Sequence, residues 1–248
     1  MQVGDPFIRH TAYCLQVLDG LRTGEFNERG LWPSSEPAEV DEPSQETLIG
    51  QFMRWRELVK KYAPVSKSFE PREMFISAVA TQRHPGPVIE VGTHKGIVTC
   101  FISEVMNMLN RKDKLFTIEL FNENYVDPVG EIGYPGESYL KVLSQFREQA
   151  PLERVVAIVG DSHELKPLFF GVRPSVIILD GDCTKDGIAE DLQVLRFFNH
   201  PLICLVHNAN RPEVLDALND FRAAGTHHYV NFHTGDQQSK GLAALTPN

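Results

Sequence analysis

Five short stretches set chemically capable side chains at the ends of apolar runs. In "EVGTHKG" these are Glu90, Gly92, Thr93, His94 and Gly96; in "FTIELF", Glu119; in "VGDSHEL", Asp161 and Ser162. "ILDGDCTKDG" offers Asp180, Asp182 and Lys185, and "LVHNANRP" offers His207 and Asn208. Glycines at 92 and 96 allow a tight turn and a close backbone approach, and the helix that follows has free N–H groups. The dinucleotide fingerprint Gly-x-Gly-x-x-Gly is absent, and Glu90 would repel a pyrophosphate while suiting a ligand that carries an ammonium group. Glu119, one β-α unit later, can accept hydrogen bonds from ribose hydroxyls, its alternative being a plain surface residue. Asp161 and Ser162 either cap a helix or meet an adenine amino group. Asp180 and Asp182 close a greasy strand, where they can bind a metal, orient a substrate or act as a base; Asp182 and Thr184 are also helix-cap candidates. His207 has a pKa suited to proton removal, and its bland alternative is a satisfied core group, as a turn residue is for Asn208.

These groups need a scaffold that brings them to one edge. From residue 87 onward short apolar strands alternate with helices. The strands are expected at 88–91, 115–120, 154–160, 175–180, 202–208, 227–233 and 241–246. Helices are expected at 97–110, 137–150, 162–170, 185–198 and 212–225. Near-continuous apolar strands separated by helices predict an α/β fold, a mostly parallel seven-stranded sheet with helices on both faces. The last two strands are joined by a short link, "TGDQQSK", so they form a hairpin and one of them runs antiparallel. Five successive strands then deliver polar groups at their carboxyl ends, where open parallel sheets bind ligands.

Upstream, residues 6–24, 45–64 and 70–85 have helical spacing, and "LWPSSEPAEVDEPS" between the first two is an irregular loop. We divide the chain into an N-terminal helical appendage, 1–70, and a ligand-binding domain, 71–248. The long segment "FNENYVDPVGEIGYPGESY", with Tyr125, Tyr134 and Tyr139, is expected to join the appendage as a lid over an acceptor pocket, its alternative being a plain surface loop.

Composition narrows the class. The 248 residues are 42% hydrophobic and 23% charged, with a net charge of −9, a balance that argues against nucleic-acid or anionic-membrane partners. Cys14, Cys100, Cys183 and Cys204 have no metal-ligand spacing. With no signal-like apolar core at the N-terminus and no membrane-length apolar run, they suggest a soluble, cytoplasmic chain.

Taken together, "EVGTHKG", Glu119 and "GDS" resemble the cofactor motifs of class I S-adenosylmethionine-dependent methyltransferases, which have a Rossmann-like sheet. "ILDGDCTKDGIAEDL" followed by "LVHNANRPEVLDAL" is similar to the small-molecule O-methyltransferase branch of catechol, caffeoyl-CoA and macrocin type. The resemblance covers residues from about 74 to the C-terminus. It implies S-adenosylmethionine held by Glu90, Gly92, Thr93, His94 and Gly96 around its methionine moiety, by Glu119 at the ribose, by Asp161 and Ser162 at the adenine, and by Asp180. It also implies a divalent ion such as magnesium at Asp180 and Asn208. His207 stands where those relatives have a second acid, which lowers affinity for a hard ion. Cys183 stands where the macrocin-type pattern has histidine, leaving His207, Asp180 and Lys185 as catalytic candidates. A homodimer is implied as well.

The resulting expectation is methyl transfer to a hydroxyl of a small molecule, a natural product or sugar. The alternative is a protein of the same fold that binds the cofactor without methylating oxygen. A nicotinamide-dependent oxidoreductase ranks third, for want of the dinucleotide glycines.

Overall fold

The computed structural model describes residues 55–66, 69–120, 144, 151–198, 200, 202–224, 227–232 and 240–247. The expected helices at 6–24 and 137–150, the loop at 31–44 and the three lid tyrosines lie outside these residues or almost wholly so.

Seven strands form one sheet: β1 (Val88–Val91), β2 (Leu115–Glu119), β3 (Val155–Val159), β4 (Val176–Leu179), β5 (Ile203–His207), β6 (His227–Phe232) and β7 (Leu242–Pro247). Their order is β3-β2-β1-β4-β5-β7-β6. The five strands β1 to β5 pair in parallel, and β7 runs antiparallel to both β5 and β6, so it is the reversed strand of the expected hairpin. All residues of β1, β4 and β5 are buried. That is why these strands read as unbroken apolar runs: both faces are covered.

One face carries α1 (Pro71–Arg83) and α2 (Ile97–Met108). Helix α1 begins where the sequence dictates, with Pro71 in the first turn and a capping box in which Glu70 and Glu73 exchange side-chain to backbone bonds. Its Met74, Phe75, Ala78 and Val79 pack with Phe101, Ile102 and Val105 of α2. Helical residues 55–62 join this core through Trp55, Leu58 and Tyr62, although they fall within the stretch read as an appendage. Trp55 donates through Nε1 to Gln82 Oε1 at 3.1 Å, and Tyr62 donates to Glu104 Oε2 at 2.7 Å.

The other face carries α3 (Lys166–Val172), α4 (Lys185–Gln193) and α5 (Pro212–Ala223). Ile188 and Leu192 of α4 and Val214, Leu218 and Phe221 of α5 form its core with Ile177, Leu179 and Val206. Among the described residues no helix is long and apolar enough to cross a membrane.

The connection from β1 leads outward to β2 and β3, whereas β4 returns to the opposite side of β1. The sheet therefore has its switch point between β1 and β4, and a crevice opens beyond their carboxyl ends.

Because Trp55 is fully buried in the α1–α2 core, Trp55→Ala is expected to cost about 3–5 kcal/mol. Chemical denaturation checks this; a loss below 1 kcal/mol would place residues 55–62 outside the cooperative unit.

Candidate active site at the β1–β4 switch point

Gly92 has φ +88, and a Cβ there would overlap the Asp180 backbone carbonyl. Two adjacent strand ends meet at that point: the Gly92 N–H donates to Ile118 O at 2.9 Å and the Asp180 N–H to Val91 O at 2.8 Å. The need for glycine is thus set by the neighbouring chain before any ligand enters. The turn continues through His94, at φ 48, and closes at Gly96, at φ 71, which is the N-cap of α2. Ser66, Gly92, Thr93, His94, Lys95, Ile97, Val98 and Asp180 line a shallow, open depression.

Glu119 lies beside this turn. Its Oε2 accepts the His94 N–H at 2.7 Å and its Oε1 accepts the Leu120 N–H at 3.1 Å. The acid at the end of β2 therefore holds the β1–α2 loop by its backbone.

Glu90, expected near a ligand's ammonium group, is buried beside the turn. It is 1% exposed and faces α2 and β2, where its Oε2 accepts the hydroxyls of Thr99 at 2.5 Å and Thr117 at 2.7 Å. Thr93 and Thr117 share a further hydroxyl contact. Burial pushes the Glu90 carboxyl up to about 8, against the two hydroxyl bonds, with Asp180 and Glu119 adding to the rise. At neutral pH it is mostly protonated, and it does not line the depression.

Asp180 meets His207, whose Nδ1 donates to Oδ1 at 2.6 Å. Nε2 of the same ring lies 3.3 Å from Glu73 Oε2, and Phe69 stacks on the ring at 4.7 Å with a 22° interplanar angle. Burial opposes charge on this imidazole, yet the carboxylates of Asp180 and Glu73 outweigh it and lift its pKa to about 9. The ring expected to act as a base is 1% exposed, bonded to Asp180 through Nδ1 and within ion-pair distance of Glu73 at Nε2, and it does not line the depression.

Lys185 does not join the group either. Its Nζ is 2.7 Å from Asp220 Oδ2, pairing two exposed side chains of α4 and α5. Asn208 adopts φ 58, and its Nδ2 donates to Cys183 Sγ at 3.0 Å. Of the expected magnesium ligands, Asp180 is bonded through Oδ1 to His207, and Asn208 through Nδ2 to the Cys183 thiol. No group of three His, Cys, Asp or Glu side chains among the described residues could hold a metal ion. One acid beside a histidine and an amide does not fit a hard divalent cation.

Asp161 and Ser162 serve the turn after β3. The Asp161 carboxylate accepts the His163 N–H at 2.9 Å, and the Ser162 hydroxyl donates to Asp191 Oδ1 at 2.8 Å. Asp191 also lies 3.3 Å from His163 Nε2 and is the main cause of that ring's pKa of about 9. Thr184 caps α4 by accepting the Gly187 N–H at 3.1 Å, with Asp182 bonded to Thr184. The groups that sequence reasoning missed are Ser66, Phe69, Glu73, Thr99, Thr117 and Asp191. Thr117 alone left a signal, as a hydroxyl inside an apolar strand.

Comparison with solved structures finds the same architecture in methyltransferases. The SAH-bound methyltransferase PaMTH1 of Podospora anserina aligns with a TM-score of 0.53 at 13% identity, over 87% of this chain and 100% of that one. The calicheamicin methyltransferase CalS11 aligns at 0.55 and 13%, over 94% and 91%. The O-methyltransferase TomG of Streptomyces achromogenes, solved with SAM, aligns at 0.53 and 15%, over 91% and 98%. The chain therefore has the Rossmann-like fold of the S-adenosylmethionine-dependent methyltransferases. No protein-family model matches the sequence, and no curated protein does.

The Glu90 carboxyl supplies a pH test. Its native pKa near 8 lies above the ordinary 4.5, so between those values the folded state keeps a proton that the unfolded chain releases. Stability from this group must fall as pH rises through that window and level off above it. Thermal melts from pH 5 to 8.5 should show a steeper decline for the wild type than for Glu90→Gln. Parallel curves would contradict the assignment.

Proposed function

We propose that the protein binds S-adenosylmethionine in the β1–β4 crevice and transfers its methyl group to a hydroxyl of a small molecule. The observation that carries this reading is the placement of Gly92 and Asp180 in one depression, with Glu119 bonded to the His94 N–H of the loop that lines it, on the fold of known S-adenosylmethionine and S-adenosylhomocysteine binders. The depression's residues fit the ligand in kind. The Gly92–Gly96 turn lets the backbone come close, Glu119 offers acceptors for ribose hydroxyls beside the same loop, and Asp180 sets a carboxylate near a sulfonium and its ammonium group. Asp161 and Ser162 stand at the next strand end, on the adenine side.

Bound S-adenosylmethionine supplies an electrophilic methyl group and needs no metal to be reactive. The protein's task is then to hold the acceptor oxygen in line and to exclude water. With His207 and Lys185 engaged elsewhere, Asp180 is the candidate left to orient the acceptor hydroxyl and take its proton. CalS11 is a calicheamicin methyltransferase, and TomG is involved in tomaymycin synthesis. By analogy we infer a natural product or sugar as acceptor. The expected 1–70 appendage is read as a lid, consistent with Ser66 lining the depression. Free thiols at Cys100, Cys183 and Cys204 suit a cytoplasmic setting, and a homodimer is expected from the resemblance.

The engagement of His207 also favours a second reading, a cofactor-binding protein that does not methylate oxygen. Methyl transfer from labelled cofactor to a panel of hydroxylated acceptors separates the two.

Calorimetric titration with S-adenosylhomocysteine, and separately with NAD, tests the cofactor class. The first should bind and the second should not. Glu119→Ala should weaken S-adenosylhomocysteine by about tenfold or more, as loss of a hydrogen-bonded charge does. Equal affinity in a folded variant would remove Glu119 from the site.

A further inference from the structure

His207 has a carboxylate at each ring nitrogen and an aromatic ring on its face, yet it does not line the depression. Each contact comes from a different part of the chain. Asp180 follows β4. Glu73 stands in the first turn of α1. Phe69 belongs to the stretch leading into α1, and its N–H donates to Ser66 Oγ at 2.9 Å. Ser66 and Asp180 both line the depression. The imidazole thus stands behind two lining residues, bonded to one directly and joined to the other through Phe69.

Packing alone does not require such a group. The ring meets Asp180 through the Nδ1 hydrogen bond at 2.6 Å and faces Glu73 across 3.3 Å at Nε2, so one side chain bridges two acids from separate elements. An apolar side chain would remove the imidazole that both carboxylates face. The same Glu73 oxygen also accepts the Glu70 N–H at 2.8 Å, so the grip on His207 and the start of α1 share one atom.

We propose that His207 is a positioning residue for the cofactor site, fixing the Asp180 carboxylate on one side and the Ser66–Glu73 stretch on the other. It touches neither the cofactor nor the acceptor. It sets where two separate lining residues stand relative to each other, and it makes the start of α1 part of the binding site. This inference rests on the cofactor reading above and extends it.

The test combines calorimetric titration with S-adenosylhomocysteine, thermal melts and nitrogen-15 spectra of the imidazole. It uses the wild type, His207→Gln, Glu73→Gln, Asp180→Asn and the Glu73→Gln/Asp180→Asn double variant. His207→Gln and Glu73→Gln should bind about tenfold more weakly while remaining folded, and the double variant should lose less than the product of the single losses. In the wild type, the His207 ring resonances should move when S-adenosylhomocysteine is added. Folded variants with wild-type affinity, or losses that simply multiply, overturn the proposal. Where a variant fails to fold, the wild-type spectrum decides: a ligand-induced shift supports the role and an unmoved resonance overturns it. Absence of binding by the wild type is a separate result that overturns the cofactor reading, and this inference with it.

Discussion

The contact on which the site depends is the one between the ends of β1 and β4. There the backbone of Asp180 passes so close to Gly92 that no side chain fits. The approach follows from topology, since β1 and β4 are neighbours in space while their outgoing connections diverge. A crevice must open between diverging loops, and its floor is the pair of strand ends. Gly92 makes that floor narrow, and Asp180 then stands at its edge with its carboxylate.

Around this floor the protein buries an unusual number of acids. Glu90, Glu73 and Asp191 are each 5% exposed or less. Each is handled differently. Glu90 gains two hydroxyl donors and keeps a proton to high pH. Glu73 and Asp180 share the imidazole of His207. Asp191 takes the Ser162 hydroxyl and the His163 ring. Hydrogen bonding and pairing of this kind are what make a buried carboxyl tolerable. They also set His207 and His163 beside carboxylates that raise each ring's affinity for a proton.

Much of the fold was legible in the sequence. The buried strands β1, β4 and β5 read as apolar runs because they have two covered faces, and "TGDQQSK" marked a hairpin with one reversed strand, which is β7. Pro71 and the helical spacing over 70–85 marked α1. The site was legible in outline, since a polar residue closing an apolar strand has few packing reasons to be there. What could not be read was direction. Nothing local says that Glu90 turns toward Thr99 and Thr117, or that Lys185 leans toward Asp220. Nor does "EPRE" announce that its second acid reaches His207, more than a hundred residues away. These pairings depend on how α1, β4 and β5 come together, which spacing within any one element does not encode.

The most direct test of the account is backbone amide exchange with and without S-adenosylhomocysteine, resolved to short segments. The account predicts added protection concentrated at residues 92–96, at 119–120 and at 180–183. Protection confined to other regions, or no change at a ligand concentration that saturates the protein, would contradict a cofactor site at the β1–β4 switch point.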